Sequence, residues 1–417
     1  MNRITALFSG QGSQYEGMGK KWILENKQIK QRFEQASDLL HFDVMDLCMN
    51  GNRDELQKTE IAQPAIFTLS YAMFEQFCST YQPNISYLAG HSLGELTALA
   101  SAGVLTYEDG LKLVHERGKA MSVCCQQNPS TMYAVTDLDV SILESLLEAY
   151  GANEQGIFIA NYNTPRQTVL SGKAKELVDF TQQFKGVAKC IPLQVAGGFH
   201  SVYMNDALAH LKEVLDQTSL HAWKIPVLNV NQMRFYHEED HIRQLLLDQM
   251  IKPVNWYRSL AFLEAQGTQL WLEFGPKNTL RNTVLNSLFN PTALSYDTES
   301  VSDILEEMRI LEERNQKIPH LIGLCLGVAV STQNNCQDEA LYQKNVVGSY
   351  HEIKNIHTQV LSENRLPTEE EEKKALNLLK VILETKQISE YEQEKRMKQI
   401  IALASSVKKS NTRWSHS

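Results

Sequence analysis

Ile85-Ser86-Tyr87-Leu88-Ala89-Gly90-His91-Ser92-Leu93-Gly94-Glu95 is the stretch that decides how this chain folds. Its first five residues suit a short buried strand, and Glu95 to Ala102 continues at once as a helix. Strand, sharp turn and helix form the repeating unit of a parallel α/β sheet. The turn reads G-x-S-x-G, a bend so tight that glycine is needed two residues before and two after the serine. It lifts the Ser92 hydroxyl to the carboxyl edge of the sheet. It also leaves the Leu93 N–H unsatisfied in the first turn of the helix, where it can meet an oxyanion. An ordinary βα turn is the alternative that the pattern alone leaves open.

Outward from this point the chain keeps the mixed pattern. Ile4 to Phe8 reads as a strand ending in the Gly-rich turn Ser9-Gly10-Gln11-Gly12-Ser13-Gln14. Pro64 to Phe77 has Ile66, Leu69, Met73 and Phe77 at helical spacing, and Gln269 to Phe274 is a strand running into Gly275-Pro276. Between them, residues 131–195 run strand, helix, strand, strand, helix, strand, the order of a ferredoxin-like unit inserted in a larger one. Composition shifts at Asn290-Pro291, so 290–302 reads as a linker. Beyond it the chain is helical, with Pro319 and Pro367 dividing it into two or three helices. Leu376, Leu379, Ile382 and Leu383 form an apolar stripe there, and the chain reads as frayed from Lys408. The expected architecture is an α/β-hydrolase-like large subdomain with a parallel sheet (1–128 and 197–292). A ferredoxin-like small subdomain (129–196) is inserted in it, and a helical C-terminal extension (303–408) follows.

A net charge of −9 argues against a nucleic-acid partner, which calls for a basic stripe. Seven cysteines without regular spacing and without a C-x-x-C pair make neither a disulfide framework nor a zinc site. The N-terminus enters a strand directly with no targeting pattern. The most apolar later run, Leu321 to Val330, is well short of the about 20 residues that span a bilayer. A cytoplasmic protein with reduced thiols and no membrane partner is expected.

A serine hydroxyl is a poor nucleophile and needs a base within hydrogen-bond reach. His200 is the best candidate, because Ala196-Gly197-Gly198-Phe199-His200-Ser201 lets the backbone come close to another element. His91 is beside Ser92 in sequence, but neighbours in such a turn point apart. Thr106 opens a further helix on which Leu111, Val114, Gly118 and Met121 mark the apolar face, and Arg117 falls on that same face. A buried guanidinium needs a partner. Either a distant carboxylate pairs with it or the partner arrives with the substrate. Gln11, in the turn after the first strand, belongs to the edge where open parallel sheets gather their active sites.

Together these pieces resemble the malonyl-CoA:acyl-carrier-protein transacylase family. Phe8-Ser9-Gly10-Gln11-Gly12-Ser13-Gln14 is similar to the family's F-P-G-Q-G-S-Q, and Gly90-His91-Ser92-Leu93-Gly94-Glu95 to its G-H-S-L-G-E. Glu116-Arg117-Gly118 with Met121 is similar to R-G-x-x-M. Asn161-Tyr162-Asn163 with Gln167 and Ser171-Gly172 is similar to N-x-N…Q…S-G. Gly198-Phe199-His200-Ser201 resembles x-F-H-S, and Glu273-Phe274-Gly275-Pro276 resembles E-x-G-P.

The resemblance implies that Ser92 is the nucleophile and His200 its base. It implies an oxyanion hole from the N–H groups of Gln11 and Leu93, and an Arg117 that grips the free carboxylate of malonyl. It further implies that Asn255, in Pro253-Val254-Asn255-Trp256, orients His200 through its main-chain carbonyl. The implied reaction is ping-pong: malonyl passes from malonyl-CoA to Ser92 and then to the phosphopantetheine thiol of an acyl carrier protein, with no metal and no other cofactor. Ser9 stands where the family has proline, and Gly197-Gly198 replaces a stiffer pair. The helical extension looks like those of some free-standing enzymes that serve polyketide or lipopeptide assembly lines. Two other readings stay open. One is a trans-acting acyl hydrolase, against which Arg117 speaks. The other is a docking protein acting through the helical tail.

Overall fold

The computed structural model describes residues 3–184, 186–238, 240–316, 321–363 and 367–411. By compactness the chain divides into one unit ending at Met308 and a second beginning at Arg309.

The first unit is built on a four-stranded parallel sheet in the order Thr292–Ser295, Leu270–Phe274, Ile4–Phe8, Ile85–Gly90. Ile4–Phe8 and Leu270–Phe274 are buried throughout, as expected of strands covered by helices on both faces. Phe8 pairs with Gly90 on one side and with Phe274 on the other. The Gly-rich turn after Phe8, the serine turn after Gly90 and Gly275-Pro276 therefore open at one edge of the sheet.

The edge strand Thr292–Ser295 corrects the reading of 290–302 as a linker. It has only four residues and alternates between half-buried and buried, so it carries no long apolar run to read. The helix Thr59–Tyr81 extends the expected 64–77 in both directions and holds Pro64 inside it. A proline there supplies no N–H to the carbonyl four residues earlier. That carbonyl, on Glu60, takes His115 Nδ1 at 3.2 Å instead.

The small subdomain is an antiparallel sheet of Thr131–Thr136, Phe158–Thr164, Gln167–Gly172 and Lys189–Pro192. In order of appearance these strands lie 2-3-1-4, the ferredoxin-like arrangement. Leu143, Leu170, Leu177 and Phe180 fill the space between the sheet and its two helices, Val140–Tyr150 and Ala174–Thr181. The last strand is shorter than the 188–195 read from sequence. One edge is joined to the large subdomain by backbone bonds: Tyr162 N–H donates to Val254 O at 2.9 Å and Val254 N–H to Ala160 O at 2.8 Å.

Among the described residues of the second unit, the longer helices are Leu321–Ser331, Gly348–Ser362, Glu369–Thr385 and Glu390–Asn411. This is more than the two or three expected. Pro367 does precede a helix start, where Thr368 and Glu371 form a reciprocal cap; Pro319 lies outside the described residues. The last helix runs past Lys408, where fraying was expected. Leu379, Ile382 and Leu383 from the expected stripe are fully buried with Ile322, Cys325 and Ile353. Lys386 is buried as well and caps the helix Leu321–Ser331, donating to Ala329 O at 2.7 Å and Thr332 O at 2.8 Å. No helix among the described residues is long and apolar enough to cross a membrane.

Candidate active site

The serine turn has the geometry its glycines imply. Ser92 is held at φ 54° and ψ −107°, a conformation that costs about 1–3 kcal/mol for a residue with a side chain. A Cβ on Gly90 would lie 1.9 Å from the Gly94 carbonyl carbon, and one on Gly94 would lie 2.0 Å from the Phe8 carbonyl oxygen. Neither position admits another residue without moving backbone.

His200 lies 5% exposed with its Nε2 2.7 Å from the Ser92 Oγ. It too has a positive φ, 55°. Its loop is tied down by Ser171 Oγ donating to Phe199 O at 2.6 Å, and by Gly198 N–H donating to Ser130 Oγ at 2.8 Å. Gly197 is needed because its Cβ would meet Cys125 Sγ at 2.4 Å. His91 points the other way, toward Asn163 Oδ1 at 3.0 Å, with its ring edge-on to Trp256.

The group that orients His200 is not the one implied by the resemblance. Its Nδ1 donates to the carbonyl of Gln249 at 2.9 Å. Asn255 instead starts the helix Trp256–Ala265 and donates from its side chain to Asn231 O. Gln249 sits in the last turn of the helix Ile242–Ile251. The N–H that would ordinarily bond its carbonyl belongs to residue 253, which is proline. With Nδ1 committed as donor, Nε2 is the bare nitrogen and accepts the Ser92 proton. Burial holds His200 well below the usual imidazole range, at about 3, and the nearby Arg117 pushes the same way. It is neutral at neutral pH and free to take a proton.

Arg117 is 2% exposed on the helix Tyr107–Gln127. Among the described residues it makes no ion pair. Its Nη1 donates to Gln63 Oε1 at 2.8 Å, and its Nη2 to Ser92 Oγ at 3.2 Å and Gln249 Oε1 at 3.1 Å. Its Nε is buried without an acceptor. Burial lowers its pKa to about 10, with Glu95 opposing, so the guanidinium stays charged. A fixed cation with spare donors beside the nucleophile suits a carboxylate on the acyl group.

Gly10 packs against the His91 carbonyl, which a Cβ would approach to 2.5 Å, so the Gly-rich turn and the serine turn lie side by side. The backbone N–H groups of Gln11 and Leu93 have no acceptor among the described residues. The Gln11 side chain is held by Thr59 and Gln63. Ser9, where the family has proline, donates to Glu273 Oε1 at 2.8 Å. That carboxylate also accepts the N–H groups of Leu280 and Arg281. A cleft of about 520 Å³ runs from His200 past Phe158, Tyr162 and Pro253, between the two subdomains.

The family model described as "Acyl transferase domain" matches residues 5–282. The chain belongs to the acyl transferase family. A malonyl CoA-acyl carrier protein transacylase of Bacillus subtilis is 31% identical over 95% of this chain and 100% of its own length, so the likeness includes the helical extension. A polyketide biosynthesis malonyl CoA-acyl carrier protein transacylase of Bacillus velezensis, BaeC, is 34% identical over 67% of this chain and 95% of its own. A solved complex of a type II PKS acyl-carrier protein with its malonyl-transacylase matches with a TM-score of 0.70 at 28% identity. It covers 74% of this chain and all of the matched one.

For this acyl transferase, the structure thus brings Ser92, His200 and Arg117 together and moves the orienting carbonyl from Asn255 to Gln249. Gln63 and Gln249, which hold the guanidinium, went unnoticed in sequence. Uncharged amides leave no charge or periodicity signal, and only Pro253 marks the freed carbonyl.

Proposed function

We propose that the protein transfers a malonyl group from malonyl-CoA to the phosphopantetheine thiol of an acyl carrier protein by way of an ester on Ser92. The observation that carries this reading is the single hydroxyl shared by a neutral imidazole at 2.7 Å and a buried guanidinium at 3.2 Å. In the first half-reaction Ser92 Oγ attacks the thioester carbonyl as His200 Nε2 takes its proton. The N–H groups of Gln11 and Leu93 receive the oxyanion. The carbon–sulfur bond then breaks, and the departing thiolate takes the proton from His200. In the second half-reaction His200 removes the proton of the carrier thiol, sulfur attacks the ester carbonyl, and the proton returns to Ser92 as the ester bond breaks.

Arg117 binds the free carboxylate of the malonyl group. That pairing also cancels part of the positive field that depresses His200, so the base strengthens when the correct acyl group is bound. An acetyl group leaves the guanidinium without its anion. The chemistry needs no metal and no cofactor beyond the two thioester partners. The seven free cysteines and the thioester substrates support action in the cytoplasm.

Incubating the protein with malonyl-CoA and recording intact mass tests the assignment. Wild type gains one malonyl group and Ser92→Ala gains none. Labelling of Ser92→Ala would place the nucleophile elsewhere, and free malonate released faster than malonyl-carrier product would favour a hydrolase.

A further inference from the structure

Glu95 takes no part in the steps above, yet it is 1% exposed in the first turn of the helix that follows Ser92. Among the described residues, only donors bond to it. Tyr236 Oη donates to its Oε1 at 2.7 Å, Gln249 Nε2 donates to its Oε2 at 2.8 Å, and a backbone hydrogen bond from Val230 adds to them. Burial outweighs these three bonds and leaves its pKa pushed up to about 7, while both of its oxygens serve as acceptors. Burial and Glu95 itself hold the Tyr236 phenol far above its ordinary range, so its proton stays available to donate.

The Gln249 amide is the link from Glu95 to the reacting groups. Both protons of its Nε2 are used, one on Glu95 and one on the Ser92 carbonyl at 3.0 Å. Its Oε1 therefore faces Arg117 Nη2. Turning the amide over would set its oxygen against a carboxylate and a carbonyl, and its NH2 against a guanidinium. All three contacts would be repulsive. Glu95 as a carboxylate, which can only accept, is what prevents the turn. Glu95 is also the carboxylate whose field acts on Arg117, but it does so across the Gln249 amide. A direct pair would occupy the donors that the substrate needs.

We propose that Glu95 is a positioning residue for the carboxylate clamp: through Gln249 it fixes the acceptor face shown to Arg117, and it balances that buried cation while leaving its fork open. The proposal rests on the reading of Arg117 as the malonyl clamp.

The test compares acyl-Ser92 formation from malonyl-CoA and acetyl-CoA in wild type, Glu95→Gln, Gln249→Met and the double variant, with Arg117→Ala alongside. A glutamine at 95 can donate as well as accept, so it no longer dictates the amide's orientation. In Glu95→Gln the malonyl-to-acetyl ratio of kcat/KM is expected to fall about tenfold or more, mainly through KM for malonyl-CoA. Gln249→Met keeps the main-chain carbonyl for His200 and removes only the relay, so it is expected to show the same loss. The double variant is then no worse than either single one.

An equal fall for both acyl groups in Glu95→Gln would reduce Glu95 to a structural prop and overturn the proposal. So would losses that multiply in the double variant, or an unchanged ratio in Gln249→Met, which also decides the matter should Glu95→Gln fail to fold. If Arg117→Ala keeps the ratio, the clamp itself is refuted. If Arg117→Ala loses it and Glu95→Gln does not, only the role given to Glu95 falls.

Discussion

Arg117 Nη2 donates to Ser92 Oγ at 3.2 Å, so the buried cation sits one hydrogen bond from the atom that will carry the acyl group. The same guanidinium is held from behind by Gln63 and Gln249 and has a buried Nε to spare. Removing it leaves a substrate carboxylate buried without a partner, a loss on the order of 3–5 kcal/mol. Arg117→Ala should therefore lower kcat/KM for malonyl-CoA by about 10²–10⁴-fold, with a much smaller effect on acetyl-CoA. Steady-state transfer to a holo carrier protein measures both. Equal losses would count against the clamp.

His200→Gln should slow acylation by about 10²–10⁴-fold while malonyl-CoA still binds. Rapid-quench detection of malonyl-Ser92 reads the rate, and equilibrium binding to a Ser92→Ala background reads the affinity. A variant that acylates at the wild-type rate would remove His200 from the mechanism.

Stability should respond to pH through buried groups of opposite sign, His200 on one side and the raised carboxyls Glu273 and Glu95 on the other. The folded pKa of His200, about 3, lies below its unfolded value, so its contribution is intact above about pH 6.5 and is lost as pH falls toward 3. Glu273 is pushed up to about 7 by burial, so its contribution is full below about pH 4.5 and is lost as pH rises through 7. Urea unfolding between pH 4.5 and 8 should show the wild type losing ground to His200→Gln by roughly 1.4 kcal/mol per unit on acidification below about pH 6.5. Relative to Glu273→Gln it should lose ground as the pH rises. Parallel curves would show that neither group is buried as described.

Gly94→Ala should fail through backbone rather than side-chain contact. Its Cβ would stand 2.0 Å from the Phe8 carbonyl oxygen at the carboxyl end of a central strand. A loss of more than about 3 kcal/mol, or insoluble protein, is expected. A wild-type melting temperature would mean that the turn is more open than described.

Ser9→Ala removes one donor from the buried Glu273 carboxyl. About 1–3 kcal/mol of stability should go with it. An unchanged unfolding midpoint would show that Leu280 and Arg281 satisfy the group alone.

Much of this site was readable because its signals are local. Glycines flanking Ser92, glycines before His200 and the helical spacing of Val114, Arg117 and Met121 each lie within a few residues. The ferredoxin-like unit was readable for the same reason, since its strand order follows chain order. What escaped depends on tertiary neighbours. The orienting carbonyl of Gln249 is a main-chain atom, and its freedom comes from a proline four residues later. The Gln63 and Gln249 side chains carry no charge. The strand Thr292–Ser295 is recognisable only by its pairing with Leu270–Phe274.

Val254 exchanges backbone bonds with Ala160 and Tyr162 and follows directly on the proline that frees the Gln249 carbonyl. The mouth beside His200 is thus gauged by main chain. Swapping cleft side chains can retune which acyl thioester enters while the span between the lobes and the aim of the imidazole stay as they are.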